Sequence, residues 1–444
     1  MNLRFTLALL AGKLLRVVGK PFGKATNLPG SVALKLCPDL FSRFRFRGRV
    51  LAVTGSNGKT TTANAVAHIL TGAGYTVANN AKGSNLTGGV ATTLLGVSSL
   101  RGVVPQDFVV LEVDERYSRL IFRGFSPELL LVTNLFRDQL TRNGNVDVIV
   151  AKLTEAIAPS VKLVLNANDP ISAGLAPGSD RVYYAMERTA QSTDESVNIT
   201  HDAKACPRCF GHLGYDYYHY NHIGRFRCPN CGWESPAAAY TASEPDFRTG
   251  AFSINGIRLE SGCRTPYMFL NLTAAVALCC EAGVPVDEAV RLAAGFRVSR
   301  QRFDEFDIGG RRAVLILSKN QNPVSFDQSI SYVLGQEGRK NVVVFVNNIN
   351  HTNNKDTTWL YDISFERLAG HCDALLCTGP RAMDLAVRLE LGGYPMDAVT
   401  AEPDPDRLGA ALAATDGTIY ILTELYDANI IVRAVEKRMR GADT

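Results

Sequence analysis

Short runs of Val, Leu and Ile bounded by polar residues recur through the first half of the chain, at Val50 to Val53, Phe108 to Leu111, Leu129 to Val132 and Leu163 to Leu165. Stretches of helical period separate them. Apolar runs without alternation, interleaved with helices, predict buried parallel strands in an α/β domain. Each run ends in polar residues, and the carboxyl ends of such strands are where open parallel sheets place their chemistry. A second series, Ala313 to Leu317, Val342 to Val346, Ala374 to Cys377 and Ile419 to Leu422, predicts a second, smaller doubly wound domain. A helical stretch from Leu270 to Phe296 lies between, with a boundary near Val298 to Phe303. From Ile199 to Pro236 the pattern breaks into an aromatic and polar segment holding two Cys-x-x-Cys pairs, which reads as an insertion.

A length of 444 residues exceeds what one hydrophobic core supports, in keeping with two domains. With 46% apolar and 20% charged residues the composition is that of an ordinary globular protein, and a net charge of +4 is too small to suggest wrapping of nucleic acid. Near the start, Leu3, Phe5, Leu7, Leu9 and Leu10 run between Arg4 and Lys13, too short a stretch to span a bilayer. The basic flank (Arg16, Lys20, Lys24, Arg43 to Arg49) suits an amphipathic helix packed on the protein, with contact to the anionic inner face of a membrane as the alternative. Ten cysteines without an export signal point to the cytoplasm, where paired cysteines mean metal more often than disulfide.

The most chemically specific segment is Thr54-Gly55-Ser56-Asn57-Gly58-Lys59-Thr60-Thr61, between a predicted strand and a helix over Thr62 to Ala73. A glycine turn opening a helix aims backbone N–H groups and a positive helix end at a phosphate. Lys59 would reach the terminal phosphates of ATP, the Thr60 hydroxyl would hold Mg²⁺, and Gly55 and Gly58 allow backbone angles closed to other residues. Val53 stands where the general motif has its first glycine, and a plain glycine turn is the competing reading.

That variant loop is similar to the one in the Mur ligase and folylpolyglutamate synthase superfamily, and further matches follow in order. Glu112, in Val110 to Glu115, resembles the superfamily's Mg²⁺-binding glutamate. Thr133 to Leu140 resembles its Thr-Asn-x-x-x-Asp-His-Leu segment, with Gln139 in place of the histidine. Asn166-Ala167-Asn168-Asp169-Pro170 is similar to its Asn-x-Asp-Asp-Pro turn. Asn271 and Arg302 match its adenine- and phosphate-contacting residues, and Asn322-Pro323 the step opening its last domain. The resemblance implies that Gly55 through Thr61, Asn271 and Arg302 bind ATP, that Thr60 and Glu112 hold Mg²⁺, and that Lys59 and Glu112 serve catalysis. Asp138 and Glu115 are candidates beside the peptide site.

Cys206-x-x-Cys209 and Cys228-x-x-Cys231 are separated by enough chain to fold back, so four thiolates can meet at one ion. A closed tetrathiolate leaves no open coordination position, which makes the metal, zinc by preference, structural. Ordinary Mur ligases lack such a ribbon. The MurT-type subunits of lipid II isoglutaminyl synthase carry one, and the segment Asn353 to Glu366 resembles their last-domain signature, as Leu28 to Leu36 resembles their N-terminal stretch. On this resemblance a basic segment (1–45) precedes a Mur ligase-like P-loop central domain (46–300) with a zinc ribbon (200–236) inserted, and a smaller Rossmann-like α/β domain (301–444) follows. It implies ATP-dependent amidation of the D-glutamate α-carboxylate of the lipid II stem peptide through an acyl phosphate, with ammonia from a GatD-type glutamine amidotransferase whose Cys-His pair Asp356 would complete. No Gly-x-Cys-x-Gly nucleophile elbow is present, and Cys377 lacks the first glycine. Two rivals remain: a ligase that adds an amino acid, and an ATPase whose ribbon grips nucleic acid.

Overall fold

In the computed structural model the described residues are 3–21, 25–81, 84–138, 145–297, 303–308, 310–347, 356–413, 415–425 and 427–440. The chain divides into two compact units, one of Met1–Phe136, Asn145–Glu195 and Asp202–Val298, the other of Arg137–Gly144, Ser196–His201 and Ser299–Thr444.

The first unit opens with helices α1 (Leu3–Gly19) and α2 (Leu28–Leu36), then β1 (Arg49–Thr54), α3 (Lys59–Gly72), β2 (Val77–Asn79), α4 (Thr87–Val97), β3 (Phe108–Glu112) and β4 (Leu129–Val132). Next come α5 (Val146–Ala156), β5 (Lys162–Asn166), α6 (Pro170–Ala173) and β6 (Arg181–Met186), then the hairpin β7 (Gly214–Tyr220) and β8 (Ile223–Arg227). Strands β9 (Tyr240–Asp246), β10 (Ala251–Ile254) and β11 (Ile257–Glu260) and helices α7 (Pro266–Glu281) and α8 (Val286–Ala294) complete it. The main sheet has the order β11-β10-β9-β6-β5-β4-β1-β3-β2, parallel from β9 to β2 and antiparallel at the β9-β10-β11 end. The chain leaves β1 for β2 and β3 on one side and returns to β4 on the other, so a crevice opens at the carboxyl end of β1, where the order reverses.

One face of this sheet is covered by α1, α2 and α4, whose Leu9, Ala33, Val90 and Leu94 join Ala52, Val109 and Leu130 in a core. A Cβ on Gly30 would lie 1.9 Å from the Gly88 carbonyl, so glycine alone lets α2 lie this close to α4. The helical stretch Leu270 to Phe296 consists of two helices, α7 and α8. Gly283 and Val284 donate back to Cys280 and Cys279, closing the end of α7, and Pro285, which lacks an amide hydrogen, stands just before α8. Helix α7 is apolar all round and almost wholly buried, as a central helix must be.

The second unit holds β12 (Phe303–Ile308), β13 (Arg311–Ser318), α9 (Pro323–Leu334), β14 (Lys340–Phe345), β15 (Ala374–Thr378), α10 (Ala382–Leu391), β16 (Val399–Glu402), β17 (Thr418–Glu424) and α11 (Ala428–Arg440). Its sheet runs β12-β13-β17-β14-β15-β16, parallel except for β12, with an apolar core on each face. Asn322 caps α9 by accepting from Ser325 N at 2.8 Å, and Pro323 takes the first helical position, where no amide is needed.

Candidate functional site

The loop after β1 is built around two left-handed glycines. Gly55 (φ +126°) faces the end of β4, where a Cβ would meet Thr133 Oγ1 at 2.2 Å, and Gly58 (φ +86°) faces α7, where a Cβ would meet Asn271 Oδ1 at 2.3 Å. Any side chain at either position would be strained and would collide. The β4 end also grips the loop. Ser56 N donates to Asn134 O (2.7 Å), Asn57 N to Asn134 Oδ1 (2.9 Å) and Thr133 Oγ1 to Asn57 O (2.6 Å). Asn271 thus lies against the turn. No side chain caps α3 and its first turn holds no acidic residue, so its amino end is free to face an anion. Thr60 and Thr61, half-buried, open that helix.

Lys59 is buried, and its ammonium donates to Glu115 Oε1 at 2.7 Å and to the Gly55 carbonyl. Burial opposes its charge, but Glu115, Asp114 and Glu112 overcome that and raise its pKa above the ordinary lysine value. Glu112 lies at the end of β3, level with Val53 in the register. Asn80 braces its backbone with two 2.8 Å bonds, and Asn85 donates to Oε1 at 2.8 Å. Its other oxygen, Oε2, is buried without a protein partner, and so are Asn57 Nδ2 in the loop and Thr62 Oγ1 in the first turn of α3. Native proteins leave few such atoms. A buried carboxylate oxygen with nothing to accept from suits a Mg²⁺ ion, so Glu112 fits that ion.

The four ribbon cysteines converge. Their sulfurs all lie within 4.8 Å of one another, with Cys206 to Cys231 at 3.8 Å and Cys209 to Cys228 at 3.5 Å. Zinc–sulfur bonds of ~2.3 Å in a tetrahedron put sulfurs about 3.8 Å apart, so the cluster fits zinc. Arg208 N and Asn230 Nδ2 donate to Cys206 and Cys209 sulfurs, as suits thiolates. Phe226 and Trp233 pack beneath them. The ribbon's arginines are engaged locally, Arg225 with Asp216, Arg227 with Glu234 and Arg208 over the Trp233 ring, which does not favour a nucleic-acid grip.

Sequence reasoning missed the joint between ribbon and sheet. His222, in the β7–β8 turn, lies 3.2 Å from Asp169, both fully buried, and Asp169 in turn accepts from Leu135 N at 2.8 Å. Nothing in the residue spacing links a histidine of the insertion to that turn.

In the second unit Asp356 accepts from Thr358 N at 2.9 Å. The segment after it is pinned: Trp359 packs on Phe326, Arg388 donates to the Leu360 and Ile363 carbonyls and to Glu366, and Asp327 accepts from Ser364 N at 2.8 Å. Asp138 is bound by Lys319 and Asn322 of this unit. At the carboxyl end of β17, burial and the nearby Asp427 push Glu424 up to about 7 against a bond from Gln321 N. Cys377 is buried in β15, and burial pushes its thiol up to about 12, away from the thiolate form a nucleophile uses. Arg302, Gln301, Gln139, Asn353 and Asn354 lie outside the described residues.

The Mur ligase middle-domain model matches residues 53–231, and the MurT ligase C-terminal model matches residues 317–428. The chain is 31% identical over 390 residues to the glutamine-hydrolyzing lipid II isoglutaminyl synthase subunit MurT of Staphylococcus aureus (strain COL), covering 87% of this chain and 86% of that one. It is 29% identical over 409 residues to the Streptococcus pneumoniae subunit of the same name, covering 90% of each. Among solved structures, a pseudomurein peptide ligase type C from Methanothermus fervidus superposes with a TM-score of 0.66 at 20% identity, covering 92% of this chain and 81% of that one. A MurF ligase from Thermotoga maritima in complex with ADP superposes with a TM-score of 0.60 at 18% identity, covering 93% and 85%. These two show the fold.

Proposed function

The chain belongs to the family of MurT subunits of lipid II isoglutaminyl synthase, and from that premise we propose how its residues divide the work. It is an ATP-dependent carbon–nitrogen ligase of peptidoglycan synthesis, amidating the D-glutamate α-carboxylate of lipid II to D-isoglutamine. A carboxylate is a poor electrophile because its leaving group would be oxide. ATP removes that obstacle by transferring its γ-phosphoryl group to a carboxylate oxygen, giving ADP and an acyl phosphate. Ammonia then attacks the carbonyl carbon, the bond to phosphate oxygen breaks, and the nitrogen loses a proton to leave the amide.

The amides of Gly58 to Thr61 and the uncapped end of α3 receive the phosphates, and a phosphate oxygen replaces Glu115 as partner of Lys59. Glu112 and the Thr60 hydroxyl would hold Mg²⁺, which would further neutralise the phosphate charge. Asn271 and Arg302 contact the nucleotide. The observation that carries this reading is the convergence on one turn of the buried Lys59, the uncapped helix and a Glu112 oxygen lacking a protein partner.

Ammonia is scarce at neutral pH, and the sequence carries no Gly-x-Cys-x-Gly nucleophile elbow, so a glutaminase on a second chain is its source. We assign that role to a GatD-type amidotransferase, with Asp356 orienting its histidine as the third member of a triad. The cysteine ribbon would hold a structural zinc, and its four thiolates fit the reducing cytoplasm, where ATP is also supplied. The test is mass spectrometry of lipid II incubated with ATP, glutamine, this chain and its glutaminase partner. The expected product carries an amino group in place of one hydroxyl, and ADP forms in equal amount. Unchanged lipid II in the presence of ammonium salt and ATP would overturn the proposal.

A further inference from the structure

Helix α1 is apolar on two opposite faces. Phe5, Ala8, Leu9 and Gly12, spaced at i, i+3, i+4 and i+7, form the buried face against α2 and α4. The outer face would be polar on an ordinary surface helix. Here Leu3, Leu7, Leu10, Leu14 and Val17, with Val18, follow one another at alternating steps of four and three, the spacing of a continuous stripe. All six stand in solvent, each between 49% and 74% exposed. Exposed apolar residues scattered singly need no explanation, but an unbroken stripe along a 17-residue helix does.

The charge around the stripe says what covers it. From Met1 to Pro38 the chain has six Lys and Arg and no acidic residue, Asp39 being the first. At 3.6 residues per turn Arg4 falls on one flank of the stripe and Lys13 and Lys20 on the other. Lys13 reaches the Leu95 and Ser98 carbonyls at the end of α4, which fixes the orientation of α1 and keeps its outer face outward. An apolar ridge between cationic flanks matches an anionic lipid surface, with the side chains entering the acyl boundary and the cations meeting headgroups. No described helix is long and apolar enough to cross a membrane, so α1 lies on the surface rather than through it.

We propose that the outer face of α1 docks the protein flat on an anionic phospholipid bilayer. The proposal goes beyond the ligase reading and needs only α1. The full chain is sedimented with vesicles of phosphatidylcholine, with or without one quarter phosphatidylglycerol. Anionic vesicles should bind about tenfold more tightly than neutral ones, an advantage that disappears at high salt. Leu7→Ser/Leu14→Ser/Val17→Ser should lose binding to both while melting like the parent, since these side chains contact solvent. Arg4→Glu/Lys20→Glu should lose only the anionic preference. Equal partition of parent and triple variant would overturn the proposal. So would a parent dimer that the triple variant converts to monomer in light scattering, or failure of that variant to retain the glutaminase, since either shows the stripe covered by protein.

Discussion

Replacing Lys59 by methionine keeps the side-chain stem and removes the charge, and the buried pair with Glu115 makes the outcome calculable. Both side chains are less than one-tenth exposed and 2.7 Å apart. Breaking a buried pair by removing one partner costs about 3–5 kcal/mol, because the other charge stays buried. Glu115 can escape by taking a proton, at about 1.4 kcal/mol per pH unit above ~4.3, which gives about 4 kcal/mol at pH 7 and about 1 kcal/mol at pH 5. In a unit of this size that corresponds to a melting point lower by roughly 10 °C at pH 7 and by only a few degrees at pH 5. Lys59→Met/Glu115→Gln should recover much of the loss at pH 7, because the second change removes the charge that faced Lys59. ATP turnover, by contrast, should collapse in both variants and stay collapsed at either pH. Thermal melts at the two pH values, read beside ADP release, separate the two roles of the lysine. A single variant that melts like its parent at pH 7, or that still turns over ATP, would refute the reasoning.

Glu112→Gln keeps the bond from Asn85 and removes the negative charge at the oxygen without a partner. Outer-shell changes at metal sites already cost about tenfold in affinity, so the Mg²⁺ concentration for half-maximal ATP turnover should rise by at least that factor. An unchanged Mg²⁺ titration would count against the site. Asp356→Asn should lower glutamine-driven amidation by about 10³-fold or more, as loss of a triad's orienting carboxylate does, and leave ammonium-driven amidation unchanged. Glutamate release and amide formation from ammonium chloride, measured side by side, check this. Glu424 has its folded pKa raised from 4.5 to about 7, so its contribution to stability is complete below about 4.5 and is lost as pH rises through about 7. Urea unfolding of the parent should weaken by at most about 3 kcal/mol across that window, and Glu424→Gln should flatten the profile. Identical slopes would remove Glu424 as the cause.

The parts legible in the sequence were those written in local pattern. Runs such as Val50 to Val53 and Val342 to Val346 gave buried parallel strands, because a strand covered on both faces has no polar face to alternate. The glycine turn opening α3 and the convergence of the two Cys-x-x-Cys pairs were readable because both fix residue type and spacing together. What the pattern could not supply was pairing across the fold. Asn80 and Asn85 meet Glu112 only because β2 and the turn before α4 lie beside β3, and neither asparagine differs from one in a surface turn. The sheet's antiparallel end was hidden too, since strands such as Tyr240–Asp246 mix Thr, Ser, Glu and Pro and are only partly buried. The outer face of α1 was visible as apolar residues, yet only the packing of Phe5 and Leu9 determines which of its two apolar faces is left in water.

The joint at His222 links the cysteine ribbon to the proposed ATP site. The hairpin β7–β8 hangs between the cysteine cluster, with Phe226 and Trp233 beneath it, and a turn that places His222 against Asp169 and its ring, tilted by 43°, against Phe136 at 4.4 Å. Gly224 N adds a 2.8 Å bond to Asn168 O. Asp169 holds Leu135 N, Phe136 N donates to Ser56 Oγ at 2.8 Å, and Asn134 holds the amides of Ser56 and Asn57. Ribbon, Asp169 turn, β4 end and phosphate loop therefore form one continuous set of contacts inside the first unit. A ribbon serving only as a remote attachment would leave nucleotide binding indifferent to its metal. Coupling through these contacts instead predicts that Cys209→Ser, or removal of zinc by a chelator, weakens ATP binding severalfold, and that His222→Ala does the same while zinc stays at one per chain. Titration of a fluorescent ATP analogue with parallel metal analysis distinguishes the cases. Equal nucleotide affinity in the zinc-free and zinc-loaded protein would break the chain of contacts at its first link, whereas a loss on chelation that His222→Ala fails to reproduce would move the coupling away from Asp169.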